Sequence, residues 1–268
     1  MSIDWEHIHA ALWRHNKASL APVHHVDPIR LQDLVGIEQQ ATALVRNSER
    51  FLARQPANNA LLWGARGTGK SSLIKAILNT YKSEGLRLIQ VFKHDLHDLF
   101  DIVEEIRDLP YRFIIYCDDF SFEMNDDSYV ALKTVLEGSI EQPAENILIY
   151  TTSNRRHLLP ETMQDNLASK MVGDELHYAD AIEEKISLSD RFGLWLSFYQ
   201  PDQDGYLRIV DSYFRDYQGD RAQLHREAIR FAQTRASRSG RAAKQFYNYF
   251  SETTNIESSH DGANDTPE

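Results

Sequence analysis

The stretch that decides the fold is Ala60-Leu61-Leu62-Trp63 followed by Gly64-Ala65-Arg66-Gly67-Thr68-Gly69-Lys70-Ser71. The four apolar residues predict a buried strand, the glycine-rich segment predicts a tight turn, and the residues after it predict a helix. Glycines at 64, 67 and 69 permit a partly left-handed path that brings backbone N–H groups close to phosphate oxygens. The pattern therefore predicts a phosphate-binding loop, and the alternative is an ordinary surface turn.

The residues at the end of this loop predict the rest of a nucleotide site. Lys70 would bring a positive charge to the β and γ phosphates, and Ser71 would offer a hydroxyl to Mg²⁺. The start of the helix adds unpaired N–H donors and the positive end of the helix dipole. We expect residues 64–72, through Ser72, to bind ATP.

Length and composition set broad limits. With 268 residues, 42% of them hydrophobic, the chain can hold one large or two modest domains. No apolar run approaches the ~20 residues of a membrane span, and the acidic, interrupted N-terminus does not resemble a signal peptide, so we expect a cytoplasmic protein. The single cysteine, Cys117, lies in an apolar run and is expected to be buried.

The charge is negative overall but unevenly distributed. A net charge of −11 argues against a surface that attracts nucleic acid or anionic membranes as a whole. Between Arg221 and Lys244, however, seven residues are Lys or Arg and the only acidic residue is Glu227. This basic segment is either a solvated helix face or a contact surface for nucleic acid.

Strands and helices alternate around the loop. We predict strands at 59–63, 86–92, 112–118, 146–152 and 193–198, and helices at 38–54, 71–84, 97–108, 127–142 and 156–166. Continuous apolar strands favour a parallel sheet that is covered on both faces. The prediction is a three-layer α/β/α domain at 31–200 with a parallel five-stranded sheet.

The flanking segments differ from this core. Residues 1–30 predict a short amphipathic helix at 3–15 and an irregular arm, because Trp5, Ile8 and Leu12 have helical spacing. Residues 201–251 show only helical patterns, at 206–217, 221–236 and 240–251, and predict a small helical lid domain. The acidic tail at 252–268 is expected to be disordered.

Polar residues end two of the predicted strands. Asp118 and Asp119 follow the strand at 112–118, where Asp118 would hold Mg²⁺ and Asp119 would orient or deprotonate an attacking water. Asn154 follows the next strand, and its amide can hydrogen-bond both a water and a γ-phosphate. The alternatives are a solvated strand end for the two carboxylates and a helix cap for Asn154.

In combination these motifs resemble the AAA+ ATPases over about residues 31–250. The matching segments are Leu34-Val35-Gly36, the loop at 64–71, the strands that end in Asp118-Asp119 and Asn154, Leu188-Ser189-Asp190-Arg191-Phe192, and Ser239-Gly240-Arg241. Three longer stretches, at 113–123, 152–158 and 188–196, resemble a bacterial AAA+ family of unassigned biological function. The resemblance implies a P-loop NTPase fold, an ATPase activity and a homo-oligomer.

The resemblance also implies individual roles. Asn154 matches sensor 1, Arg191 matches the arginine finger that reaches the neighbouring subunit's nucleotide, and Arg241 matches sensor 2 of the lid. An ordinary surface ion pair is the alternative for Arg191, and one charge of the basic segment is the alternative for Arg241.

Two departures from the AAA+ pattern affect the expected activity. Asp119 stands where most AAA+ proteins have Glu, so hydrolysis could be slow or Glu123 could share the role. Arg155 and Arg156 directly follow Asn154 and are competing candidates for the finger.

We therefore expect an ATP hydrolase that uses Mg²⁺ and remodels an unknown macromolecule. The alternatives are a slowly hydrolysing ATP-dependent binding switch and a nucleic-acid-associated loader. His94 and His97 could form a metal pair, but no third ligand at a typical spacing accompanies them, so we expect no metal site there.

Overall fold

The computed structural model describes residues 3–120, 128–137, 142–154 and 188–260. The chain forms two compact units. The first contains the described residues of Met1–Leu31, Gln39–Gly64 and Lys70–Phe198. The second contains those of Gln32–Glu38, Ala65–Gly69 and Tyr199–Glu268, so the middle of the glycine-rich loop groups with the C-terminal helices.

A seven-stranded sheet organises the first unit, with strand order β2-β1-β4-β5-β6-β3-β7. The strands are β1 (Ala10–Arg14), β2 (Ser19–Pro22), β3 (Ala60–Gly64), β4 (Leu86–Val91), β5 (Arg112–Cys117), β6 (Ile147–Ser153) and β7 (Leu194–Phe198). Among the described residues, every strand pairing is parallel except the β1–β2 hairpin. The five predicted strands are β3 to β7, and their apolar runs suit a sheet buried on both faces.

The strand order positions the candidate site. The strand that leads into the glycine-rich loop, β3, pairs with β6 on one side and β7 on the other, and β6 pairs with β5. Because these strands are parallel, their carboxyl ends meet at one edge of the sheet, where ligands bind in open α/β folds. Gly64, Asp118 and Asn154 all lie at this edge.

The described helices of the first unit are α1 (Glu38–Leu52), whose first residue groups with the second unit, α2 (Lys70–Tyr81), α3 (Leu99–Ile106) and α4 (Ser128–Glu137). Short 3₁₀ turns occur at His15–Lys17, Leu31–Asp33, Lys82–Glu84 and Lys93–Asp98. The main core of this unit is built from strand residues such as Ile89, Phe113 and Ile115 together with Leu99 and Ile102 of α3. Cys117 is buried in the same core, and this burial raises the pKa of its thiol to about 12.

The C-terminal part of the second unit consists of α5 (Gln203–Tyr213), α6 (Arg221–Thr234) and α7 (Gly240–His260). The Asp202 and Asp220 side chains cap α5 and α6 by accepting backbone N–H groups. A separate apolar core joins the three helices, with Tyr206, Leu224 and Phe246 at its centre.

The predicted helix at 3–15 is wrong. Residues 10–14 instead form β1, which pairs with β4 in parallel and with β2 antiparallel, so the sheet has seven strands rather than five. The helical spacing of Trp5, Ile8 and Leu12 is overridden by tertiary structure, because the free edge of β4 offers backbone hydrogen bonds. Trp5 still reaches the core, where its ring packs edge-on against Phe113 at a centroid distance of 5.0 Å.

The C-terminal prediction also needs correction. Helix α7 continues to His260 rather than ending at Ser251, so residues 252–260 are helical and do not belong to an unstructured tail. The predicted helix at 156–166 and residues 261–268 lie outside the described residues.

Candidate functional site

Gly64 ends β3 at a point where two backbones come very close. Its φ is +131°, and a Cβ at this position would lie 1.9 Å from the carbonyl oxygen of Phe198 on β7. Both the backbone conformation and the space therefore require glycine. The tight turn that opens the glycine-rich loop follows from this close pairing of β3 with β7.

In the second unit, the loop lies against the start of α7. Gly67 has a φ of +75°, and a Cβ there would lie 2.9 Å from the Ser239 hydroxyl and 3.2 Å from Cβ of Arg241. Ser239 accepts the N–H of Ala242 and so caps α7. Arg241, the predicted sensor 2, thus lies beside the predicted phosphate-binding loop and is exposed.

Lys70 begins α2 and is buried. Its ammonium group donates to the carbonyl oxygen of Gly64 at 2.7 Å and to Oδ1 of Asn154 at 3.3 Å. Lys70 and Asn154, which are predicted to belong to one site and lie 84 positions apart, are therefore in direct contact. The positive charge of Lys70 is thus held beside Gly64, where it could neutralise the oxygens of a bound phosphate.

Ser71, Asp118 and Thr152 form a second set of contacts. Oδ1 of Asp118 accepts hydrogen bonds from the Ser71 hydroxyl at 2.8 Å and from the Thr152 hydroxyl at 2.5 Å. Partial burial raises the pKa of Asp118, but the hydrogen bonds from Thr152 and Ser71 help to outweigh it, and the pKa lies below its usual value. Asp118 is therefore ionised at neutral pH.

This pair of oxygens fits a magnesium ion. Neighbouring ligands in an octahedron with Mg–O bonds of 2.0–2.1 Å lie about 2.9 Å apart. The Ser71 hydroxyl and Asp118 carboxylate oxygens are 2.8 Å apart and provide hard donors of the type that Mg²⁺ prefers.

Asp119 is next to Asp118 but has a different environment. Its φ is +52°, its N–H donates to the Thr152 hydroxyl at 3.0 Å, and its carboxylate accepts a short hydrogen bond from the Asn154 amide. The left-handed backbone turns this exposed carboxylate away from the strand direction. Asp119, Asn154 and Lys70 thus form one continuous hydrogen-bonded chain.

The remaining candidates are less closely placed. Arg191 is half-buried in the turn before β7, where its backbone N–H donates to the carbonyl oxygen of Leu188 at 3.2 Å. A role in a neighbouring subunit remains a prediction for this residue. Glu123, Arg155 and Arg156 lie outside the described residues.

Thr152 is the contact residue that sequence reasoning missed. Its hydroxyl contacts both members of the aspartate pair, and its side chain is buried. The available signal was its position, two residues before Asn154 on a strand that adjoins the strand of Asp118. Without the register that pairs Cys117 with Thr151, that signal could not be used.

The basic segment between Arg221 and Lys244 is partly neutralised. Arg221 lies 3.1 Å from Asp211, and Arg230 lies 2.9 Å from Glu227. These pairs favour the solvated-face interpretation over a nucleic-acid contact.

Residues 6–254 match the family described as protein of unknown function, DUF815. The chain belongs to this family. The match confirms the predicted resemblance to a family of unassigned biological function. A search of curated proteins gave no match to the DUF815 chain.

Among solved structures, the DUF815 chain is similar to two variants of RuvB from Thermotoga maritima. Each is 12% identical with a TM-score of 0.47, and the alignment covers 84% of this chain and 72% or 73% of RuvB. A likeness this distant carries no conclusion about function. Within the described part of the chain, no helix has both the length and the apolar character needed to cross a membrane.

Proposed function

We propose that this DUF815 protein is an AAA+ ATPase that binds Mg·ATP and hydrolyses it to ADP and phosphate. The observation that carries the proposal is the convergence of Lys70, Ser71, Asp118, Asp119 and Asn154 at one edge of the sheet. Lys70 and Ser71 begin α2, Asp118 and Asp119 follow β5, and Asn154 follows β6, and each residue contacts at least one of the others.

The geometry supports a specific division of roles. Residues 64–72 wrap the phosphates with backbone N–H groups, and Lys70 neutralises charge on the β and γ oxygens. Ser71 and Asp118 would hold Mg²⁺, which would supply positive charge to stabilise the negative charge that develops on the phosphates during transfer. Arg241, beside the loop, contacts the bound nucleotide.

Asp119 and Asn154 act on the attacking water. Asn154 fixes the Asp119 carboxylate by hydrogen bonding, so the carboxylate is oriented before water binds. The carboxylate then accepts a hydrogen bond from the water and aligns it for in-line attack on the γ-phosphorus. Because Asp119 is one methylene shorter than the usual glutamate, we expect slow turnover.

A comparison of two lysines on α2 tests nucleotide binding. Lys70→Ala should weaken ATP binding by roughly tenfold or more, because a charge-assisted contact is lost. Lys75→Ala is the matched control, since Lys75 is exposed on the same helix and pairs only weakly with Asp27 at 3.4 Å. Equal ATP affinity in the two variants would refute a nucleotide site at this loop.

Assembly into a homo-oligomer is part of the proposal, since an arginine finger acts on the neighbouring subunit. Alanine variants at 155, 156 and 191, each mixed with Asp118→Ala subunits, should identify the residue that acts in trans. Native mass spectrometry with a non-hydrolysable ATP analogue measures the oligomer directly. A strict monomer would contradict a shared site.

A binding switch is the second candidate function, favoured by the shorter carboxylate at Asp119. In the ATPase, nucleotide turnover drives lid and subunit motion that remodels a macromolecule. In the switch, nucleotide state alone controls binding of a partner. Steady-state ATPase that rises steeply with protein concentration supports the first, and flat, negligible turnover supports the second.

A further inference from the structure

A second cluster of metal-ligand side chains lies away from the nucleotide site. Nε2 of His97 is 3.3 Å from Nδ1 of His15 and 3.3 Å from Oδ1 of Asp98. Nδ1 of His15 is also 2.7 Å from Oδ2 of Asp98. Two imidazoles and a carboxylate thus direct ligand atoms at one small volume, with all three ligand atoms within 4.8 Å of one another.

These distances match those around a tetrahedral metal ion. With metal–ligand bonds of about 2.0–2.1 Å, neighbouring ligand atoms lie about 3.3 Å apart. Nε2 of His97 already has this separation from Nδ1 of His15 and from Oδ1 of Asp98. His15 contacts the other carboxylate oxygen, Oδ2, at 2.7 Å, so ligation through a single Asp98 oxygen requires the side chains to shift from these positions.

The carboxylate is held in place by a second contact. The indole N–H of Trp13 donates to Oδ2 of Asp98 at 2.7 Å, and both residues are buried. Outer contacts of this kind orient a ligating carboxylate and are typical of metal sites. The two imidazoles remain about half exposed, with side-chain exposures of 58% for His15 and 53% for His97, so an ion can enter from solvent.

We propose that His15, His97 and Asp98 bind a divalent transition-metal ion, with Zn²⁺ as the simplest occupant and water at the fourth position. Two imidazoles and one carboxylate suit Zn²⁺, whereas Mg²⁺ and Ca²⁺ prefer oxygen ligands only. The ion joins the end of β1 to the 3₁₀ turn at Lys93–Asp98 that follows β4. It therefore fastens the N-terminal hairpin to the parallel sheet, and it is independent of the proposed ATPase function.

The competing occupant is a proton. The hydrogen bond to Asp98 raises the pKa of His15, so a protonated imidazole paired with the carboxylate would also satisfy the cluster. A proton on His15 competes with the metal ion, so a cluster that serves only to hold the proton binds Zn²⁺ no better than other surface histidines, and the two possibilities differ in a binding experiment.

The test uses the full-length protein after treatment with a chelator, without nucleotide. Isothermal titration with Zn²⁺ should give one ion per chain, and Co²⁺ at the same site should give the visible absorption of tetrahedral cobalt. His15→Asn and His97→Asn should each lower Zn²⁺ affinity at least tenfold and abolish the cobalt spectrum. Circular dichroism without metal should show that both variants remain folded, because both side chains are half exposed.

Two histidines provide matched controls. His94→Asn changes an exposed residue of the same 3₁₀ turn, and His7→Asn changes the exposed Asp4, Glu6 and His7 group near the N-terminus. Both variants should retain the affinity of the parent protein. Absence of stoichiometric Zn²⁺ binding by the parent, or equal binding by the His15→Asn and His97→Asn variants, would overturn the proposal.

Discussion

Replacing Thr152 with valine removes a single hydroxyl that contacts both aspartates of the candidate site. A hydroxyl has one proton and two lone pairs, so it can donate and accept at the same time. Here it donates to Oδ1 of Asp118 and accepts the N–H of Asp119 at 3.0 Å. Valine keeps the shape of the side chain and loses both contacts.

The expected loss of stability follows from these two contacts. A hydrogen bond to a charged group contributes about 1.5–3 kcal/mol, and the partial exposure of the Asp118 carboxylate places this one at the lower end. The N–H of Asp119 loses its acceptor at a cost of roughly 1 kcal/mol. We expect Thr152→Val to lower the free energy of unfolding by about 2 kcal/mol, which corresponds to a melting temperature lower by about 4–8 °C.

Thr151 supplies a matched control one position earlier on β6. Its side chain is fully buried, and its hydroxyl has no hydrogen-bond partner among the described residues. Thr151→Val should therefore be neutral or stabilising, because it removes a buried polar group that is unpaired there. Urea unfolding followed by circular dichroism measures both variants against the parent.

The outcome can refute the reasoning in two ways. A Thr152→Val variant within about 0.5 kcal/mol of the parent would remove the proposed double role of the hydroxyl. A Thr151→Val variant that loses as much stability as Thr152→Val would show that any hydroxyl on this strand matters equally.

The pH dependence provides a further check. Hydrogen bonds hold the pKa of Asp118 below its usual 3.8, so the ionised carboxylate stabilises the fold above that pH. This contribution is lost as the pH falls through the lower, folded-state pKa. The difference between the parent and Thr152→Val should therefore be constant near neutral pH and shrink below about pH 4.

Three other predictions test separate features. Asp119→Asn should bind ATP with the affinity of the parent and lose turnover in a phosphate-release assay; turnover at the parent rate would remove Asp119 as the activating carboxylate. Gly64→Ala should destabilise the protein by more than about 4 kcal/mol, because its Cβ would overlap the Phe198 carbonyl. Gly85 has a φ of +94°, but no atom lies within 4 Å of the position of its Cβ, so Gly85→Ala should cost only about 1–2 kcal/mol. Similar melting temperatures for the two variants would contradict the steric argument. Tyr150→Phe should cost about 1–2 kcal/mol in urea unfolding, because the buried hydroxyl bonds Asn47 and Ser48, and an unchanged midpoint would show that those bonds are replaced.

The central strands could be predicted from sequence because their local signals agree. Each of β3 to β7 is rich in apolar residues, and the structure reproduces each predicted strand within one or two residues. The N-terminal hairpin could not be predicted in this way. Its apolar residues have helical spacing, and a strand is more stable only because it forms backbone hydrogen bonds with the edge of β4.

The residues of the candidate site also differ in whether the local sequence could identify them. The glycine-rich motif identifies Lys70 and Ser71 from local sequence alone, since backbone turn and helix start are adjacent in the chain. Thr152 carries no such motif. Its role depends on strand pairing, which places β6 beside β5 and brings its hydroxyl to the two aspartates.

The sequence by itself determined the glycine-rich turn between β3 and α2, the position of strands β3 to β7, and the polar residues that follow β5 and β6. These features depend on neighbours in the chain, so local patterns specify them. Only the tertiary structure decided which distant residues meet: Lys70 with Asn154, Thr152 with the aspartate pair, and His15 with His97 and Asp98. Contacts of this kind depend on strand order and register, because residues more than 30 positions apart become neighbours only when the sheet is assembled.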